Sequence, residues 1–264
     1  RDIRFDLDEV DMWGLNYKKG DPVAFPIPTY VDYGLHENPK EEEKIDPLAG
    51  HIEFMASLGP GEHMWYQFIF RVNKAEKPVP GKFFEFMDFK KEGEMHIAKI
   101  YESPEKINFN EETGMQMKSL STNQDNNIDI ILRTIAKPAF DVGIRALYVA
   151  ENDKFVGANI PGMISAFQQF RSTQSNAIGG FGYGMDYDYP WQDFNDFRQN
   201  RMKYRMFDGY RRRSYFYPPY KRPYTQMNTE DLSTLFHPIG STLQTPTIER
   251  VESKKEGPPS NLPV

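Results

Sequence analysis

Nine cations and seven aromatic rings fall within residues 198–222, against a single acid, Asp208. The candidate contacts among them are Arg201, Lys203, Arg205, Arg211, Arg212, Arg213, Tyr215, Tyr217, Tyr220, Lys221 and Arg222, with Arg198, Tyr204, Phe207, Tyr210 and Phe216 interleaved. A guanidinium pairs with phosphate and stacks on bases, and a tyrosine ring offers a stacking platform that tolerates any base. That is the chemistry of a groove for a single nucleic-acid strand. The same residue types build ordinary contacts between protein domains, and a charged run can also be a solvated face. The segment YFYPPY (215–220) reads as a turn pinned by its own rings. All three readings stay open at this point.

Other chemistry is thinly represented. With no cysteine, disulfides, thiolate metal sites and cysteine nucleophiles are excluded. His36, His51, His63, His96 and His237 show no HExxH spacing. His51 and His63 flank the Gly59 turn, close enough in sequence to approach each other, but satisfied or surface histidines are the simpler reading. No GxxxxGK[ST] loop and no GxSxG elbow occurs, and the Gly-rich run at 179–184 lacks the Lys-Ser/Thr of a phosphate loop. Glu41–Glu43 reads as a solvated charge run. No catalytic residue, metal or cofactor is assigned, and the reading is non-enzymatic. A hydrolase rests only on unassigned histidines and carboxylates. The net charge of −6 argues against a general polyanion binder, so the placement of the basic stretch is informative. No apolar run reaches the roughly 18 residues of a spanning helix, and no signal peptide is visible.

The elements that position this stretch come in order. Residues 1–19 read as a strand end and a loop, and DPVAFPIPTYVDY (21–33) as an irregular edge because of its prolines. ENPKEEEK (37–44) is a surface loop. Asp46 and Pro47 start a helix carrying Leu48, Ile52 and Met55, ended by Gly59-Pro60-Gly61. Residues 62–72 alternate as a half-buried strand. Residues 73–122, rich in Lys, Glu, Gly and Pro, read as a weakly structured insertion. Asn123 or Asp125 caps a helix with Ile128, Ile131, Leu132 and Ile135. Residues 141–150 are apolar on both faces and predict a central strand. A helix follows from about 160 to 170. After Ser172 the run GGFGYGMDYDYPWQDF has no apolar period, so 172–226 reads as a Gly/Tyr segment followed by the basic stretch. Asn228 or Thr229 caps a short helix within 227–240, and 241–264 reads as a linker. The fold class is α+β: a two-layer sandwich, ferredoxin-like in spirit, with helices on one face of a small sheet within 1–171.

Four stretches carry a family resemblance: DPLAGHIEFMASLGPGEHMWYQFIFR (46–71), NIPGMISAFQQFRSTQSNAI (159–178), RRRSYFYPPYKRPYTQMNTEDLSTLFHPIG (211–240) and TPTIERVESKKEGPPSNLP (245–263). They resemble the uncharacterised N-terminal region of bacterial type IV secretion and conjugative DNA-transfer ATPase-like proteins. The resemblance implies a membrane-spanning segment upstream, a RecA-like motor ATPase downstream of the NLP exit, and a place on the cytoplasmic face of a membrane. It implies a non-catalytic accessory domain that docks on that motor, on copies of itself or on a membrane partner. It gives no catalytic residue within this chain. The alternative function is a single-stranded DNA-binding module using 198–222.

Overall fold

The computed structural model describes residues 10–20, 22–34, 46–79, 81–82, 84–104, 106–110, 115–172, 175–182, 189 and 191–237. The surface loop at 37–44, Glu41–Glu43, His36, most of the Gly/Tyr run and the linker at 241–264 lie outside the described residues.

Strand β1 (Val10–Lys19) is followed by α1 (Ala49–Ala56) and β2 (Glu62–Val72). Two short strands, β3 (Lys77–Pro78) and β4 (Phe86–Met87), pair with each other ahead of α2 (Phe89–Glu102). The hairpin β5 (Lys106–Asn110) and β6 (Met115–Ser119) leads into α3 (Thr122–Ile135). Then come β7 (Ala139–Glu151), α4 (Asn159–Ile164), β8 (Ile178–Phe181), α5 (Phe197–Arg211), β9 (Thr225–Asn228) and α6 (Thr229–Leu235). The main sheet is open and antiparallel, ordered β2-β7-β1-β8, and the fold class is α+β as the pattern implies. Since β1 and β2 both run antiparallel to the β7 strand between them, β1-α1-β2 is a split βαβ unit. Strand β9 also pairs with β7, at Ala139–Val142, just beyond the stretch that β1 covers.

Alternation assigns the two faces. Tyr148, Ala146 and Ile144 of β7 share one face with Trp13, Leu15 and Tyr17 of β1 and with Met64, Tyr66 and Phe68 of β2. The α1 and α4 region closes this face. Phe167 meets Tyr17 edge-on at 4.8 Å and Tyr66 at 5.9 Å, while α4 reaches α1 where Gly162 faces the Phe54 ring. The reverse face carries Leu147, Arg145 and Gly143 with Gly14, Asn16, Trp65 and Gln67, and α5 lies across it. Met206 fills the space over Gly14, where a Cβ would sit 2.5 Å from its sulfur, and Tyr210 stacks on Trp65 at 5.4 Å.

Several expectations are corrected. Residues 10–19 form a full strand, β1, rather than a strand end and loop. Its apolar residues sit on both faces because the α1 and α4 region covers one face of the sheet and α5 the other, so it shows no simple alternation. The stretch 73–122 is more ordered than its composition implies. Asp88 caps α2 by accepting from the Lys91 N–H at 2.8 Å, and Gly93 is the seat where α2 meets α3, with Ile135 where a Cβ would be. The cap of α3 is Ser121, which forms a capping box with Gln124, not Asn123 or Asp125. The helix at 160–170 is divided into α4 and one 3₁₀ turn at Gln168–Phe170. The sheet does not end at residue 171, since β8 and β9 are part of it. Asp46 acts two residues ahead of the α1 cap position, accepting from the Leu48 N–H at 2.8 Å. Asn228 caps α6.

Candidate functional site

The basic stretch is mostly helix. From 197 to 211 the inward positions are Met206, Phe207 and Gly209, buried, with Met202, Lys203 and Tyr210 partly so. The outward row is Phe197, Arg201, Tyr204, Asp208 and Arg211, steps of three and four along one helical face. Arg198, Arg205 and Arg212 flank it. Asp193 starts the helix from outside, its two carboxylate oxygens accepting from the N–H groups of Arg198 (2.8 Å) and Gln199 (2.7 Å).

The helix ends in a Schellman motif. The Ser214 N–H reaches the Gly209 carbonyl at 3.0 Å, and the Arg213 N–H reaches that of Tyr210 at 3.1 Å. This places Arg213 at φ +51°, a seat that glycine takes at no steric cost. The chain then turns through YFYPPY, as its composition implies. Tyr220 N–H donates to Tyr217 C=O at 3.0 Å across a cis Pro218–Pro219 bond.

The eleven candidate contacts divide. Six serve the fold. Tyr215 is buried flat against Gly143, where a Cβ would lie 2.3 Å from the ring, and its hydroxyl donates to the Pro223 carbonyl at 3.0 Å. Burial holds that phenol far above the usual tyrosine range. Lys203 turns inward to Asp11 at 2.5 Å. Arg205 donates to the Pro219 carbonyl, and Tyr220 donates to Asp208. Asp208 also receives the Arg212 Nε–H, shared between its oxygens at 3.0 and 2.9 Å. The Tyr220 bond, followed by Arg212, holds the Asp208 carboxyl below its ordinary range. The Tyr217 hydroxyl accepts from Lys74 Nζ at 3.1 Å, and this bond lowers its pKa. Arg201, Arg211 and Arg213 stand exposed on or beside α5, with no ion pair to a carboxylate among the described residues. Lys221 and Arg222 sit apart from α5, in the wall of a cleft.

The sequence reading missed two parts of this surface. One is aromatic: Tyr189, Trp191, Phe194 and Phe197, all more than half exposed, Phe194 at 75%, extend the exposed ring of Tyr204. Tyr189 and Trp191 stack at 4.7 Å and 11°, immediately ahead of the helix. The other is Arg71, whose guanidinium lies 4.6 Å from the Phe216 ring centre, 5.2 Å from Tyr224 and 5.7 Å from Tyr217. It also pairs with Asp141 at 3.1 Å and Glu76 at 2.8 Å. This cation–π stack ties the turn to β2. The available signal was the 3.6-residue period of Phe197, Arg201, Tyr204 and Arg211, obscured by the density of charge around it.

Among the described residues the histidines form no shared site. His51 packs edge-on to Tyr66 at 4.7 Å on the helix-covered face, and burial lowers its pKa to about 4. His63 points to the opposite face beside Trp65. His237 meets Asp46 at 3.0 Å. Among the described residues no group of His, Asp and Glu could hold a metal ion, and no helix is long and apolar enough to cross a membrane. No protein-family model, curated protein or solved structure matches this chain.

Proposed function

We propose that this chain is a non-catalytic docking domain and that the outer face of α5 is its binding surface. One observation carries the reading. The inner face of α5 is buried against the sheet at Met206, Phe207 and Gly209, while its outer face displays Phe197, Arg201, Tyr204 and Arg211 to solvent. Arginine and large aromatics are the residues that dominate the energetics of protein interfaces. The resemblance at 46–71, 159–178 and 211–240 supports placing the domain beside the motor ATPase of a type IV secretion or conjugation system, at the cytoplasmic face of a membrane. The partner is then the motor domain; a second copy and a membrane partner are the other candidates. Titrating the downstream motor domain into this chain tests it. Replacing Arg201, Tyr204 and Arg211 by Ala should weaken binding at least about tenfold, as loss of a hot spot of 2 kcal/mol or so implies. Absence of any interaction, or ATP turnover by this chain alone, overturns the reading.

A second reading is favoured by the alternation of exposed rings and guanidinium groups on one face: contact with single-stranded DNA. Five neutralised phosphates would give a log K against log salt slope of about −3.5. The exposed Arg201, Arg211 and Arg213, rather than Arg212, are the residues whose replacement should flatten it.

A further inference from the structure

Beyond the helix face, we propose that the cleft where β1 hands over to β9 is a separate binding site for a phosphate monoester. Its walls come from two ends of the chain: Lys18 and Lys19 at the end of β1, and Lys221, Arg222 and Tyr224 leading into β9. The cleft exists because β7 changes partner. Strand β1 covers Ile144–Glu151 and leaves through Gly20, whose N–H donates to Ala177 C=O at 2.9 Å; β9 takes over at Val142. Gly143 lies at the handover.

The wall is built in advance. With Tyr215 seated on Gly143, its carbonyl accepts from the Arg222 N–H at 3.0 Å and its hydroxyl donates to the Pro223 carbonyl. The backbone carrying Lys221 and Arg222 is thereby tied at two points to a buried residue, once through its carbonyl and once through its ring hydroxyl. A cavity of about 500 Å³ results, the size of a small-ligand site.

The charges select the ligand. Lys19 is neutralised by Asp231 at 2.9 Å, both side chains being 0% exposed. Glu76, the one acid in the described lining, is held by Arg71. Lys18, Lys221 and Arg222 remain, with no ion pair to a carboxylate among the described residues. Three cations exceed what one carboxylate can satisfy and suit a phosphate, which offers more oxygens and up to two charges. Burial, with Asp141 and Glu76 nearby, raises the Tyr224 pKa and keeps the phenol protonated as a further donor.

The test is calorimetric titration of the intact chain at low salt with inorganic phosphate, AMP and a dT12 oligonucleotide. Saturable binding of AMP, weakened roughly tenfold by Lys221→Ala and again by Arg222→Ala at unchanged melting temperature, is the expected result. If dT12 binds the same residues and displaces AMP, the phosphate belongs to a strand; if it does not, the ligand is a free phosphate monoester. Lys221→Glu alters an exposed side chain and serves where Arg222→Ala lowers stability. The site is overturned if none of the three probes binds, or if binding survives Lys221→Glu combined with Lys18→Glu. The triple Ala variant at Arg201, Tyr204 and Arg211 should leave AMP binding intact, so failure here is separable from failure of the α5 interface.

Discussion

The two faces of the sheet are closed in different ways. On one, Tyr17, Tyr66, Phe68, Phe167 and Phe170 pack ring against ring under α1 and α4, with few polar groups left over. On the other, a polar row of Gln67, Arg145 and Asn16 crosses three strands beneath α5. Arg145 is buried without a carboxylate beside it among the described residues. It donates to the Ser214 carbonyl at 3.0 Å and lies 5.3 Å from the Tyr215 ring, and burial lowers its pKa to about 10. The first face is an ordinary core. The second is a polar floor roofed by an element whose outer surface keeps its chemistry free for a partner.

Four measurements would break or sharpen this contrast. The largest effect should come from removing the anchor of each face. Phe167→Ala and Tyr215→Ala should each cost about 3–5 kcal/mol, read by denaturant unfolding. If Tyr215→Ala costs under about 1 kcal/mol, the turn after α5 is a loose cover rather than part of the fold. Next, His51 belongs to the apolar face and stays neutral in the folded state down to about pH 4, against 6.5 unfolded. Its contribution is therefore unfavourable at low pH: stability should fall by roughly 2–3 kcal/mol as pH drops from about 6.5 to 4 and stay flat above. His51→Phe should remove that slope; an unchanged slope assigns it to other groups.

Smaller is the effect of Arg213→Gly. Relieving a left-handed arginine should stabilise by about 0.5–1 kcal/mol, while loss of the cation should weaken the α5 interaction. A destabilised Gly variant would mean that Arg213 makes contacts that outweigh its backbone strain. The smallest change belongs to the outer row. Arg201→Ala with Arg211→Ala should shift folding stability by no more than about 0.5 kcal/mol while weakening docking severalfold. Loss of both stability and docking would merge the two roles that the geometry separates.

Much of the apolar face could be read directly. The alternation of Met64, Tyr66 and Phe68 and the doubly apolar 141–150 are local patterns, and both strands lie where those patterns place them, while the helix signalled by Asp46-Pro47 starts two residues later than the signal implies. The reverse face was far less legible. Asn16 looks like a surface residue, yet it is about 1% exposed because of strands and helices drawn from distant parts of the chain. Gly93 and Gly143 look like breakers, yet each is the point where a side chain from elsewhere seats.

By itself, then, the sequence determined the α+β class, the central strand, the Asn228 cap of the last helix, and the concentration of arginine and tyrosine in one stretch. Only the tertiary structure decided which of those arginines and tyrosines are available. Composition specifies what a side chain can do. Whether Tyr215 is an anchor and Tyr204 a contact depends on which side of a helix or turn meets the sheet, and that is fixed by packing between residues far apart in the chain.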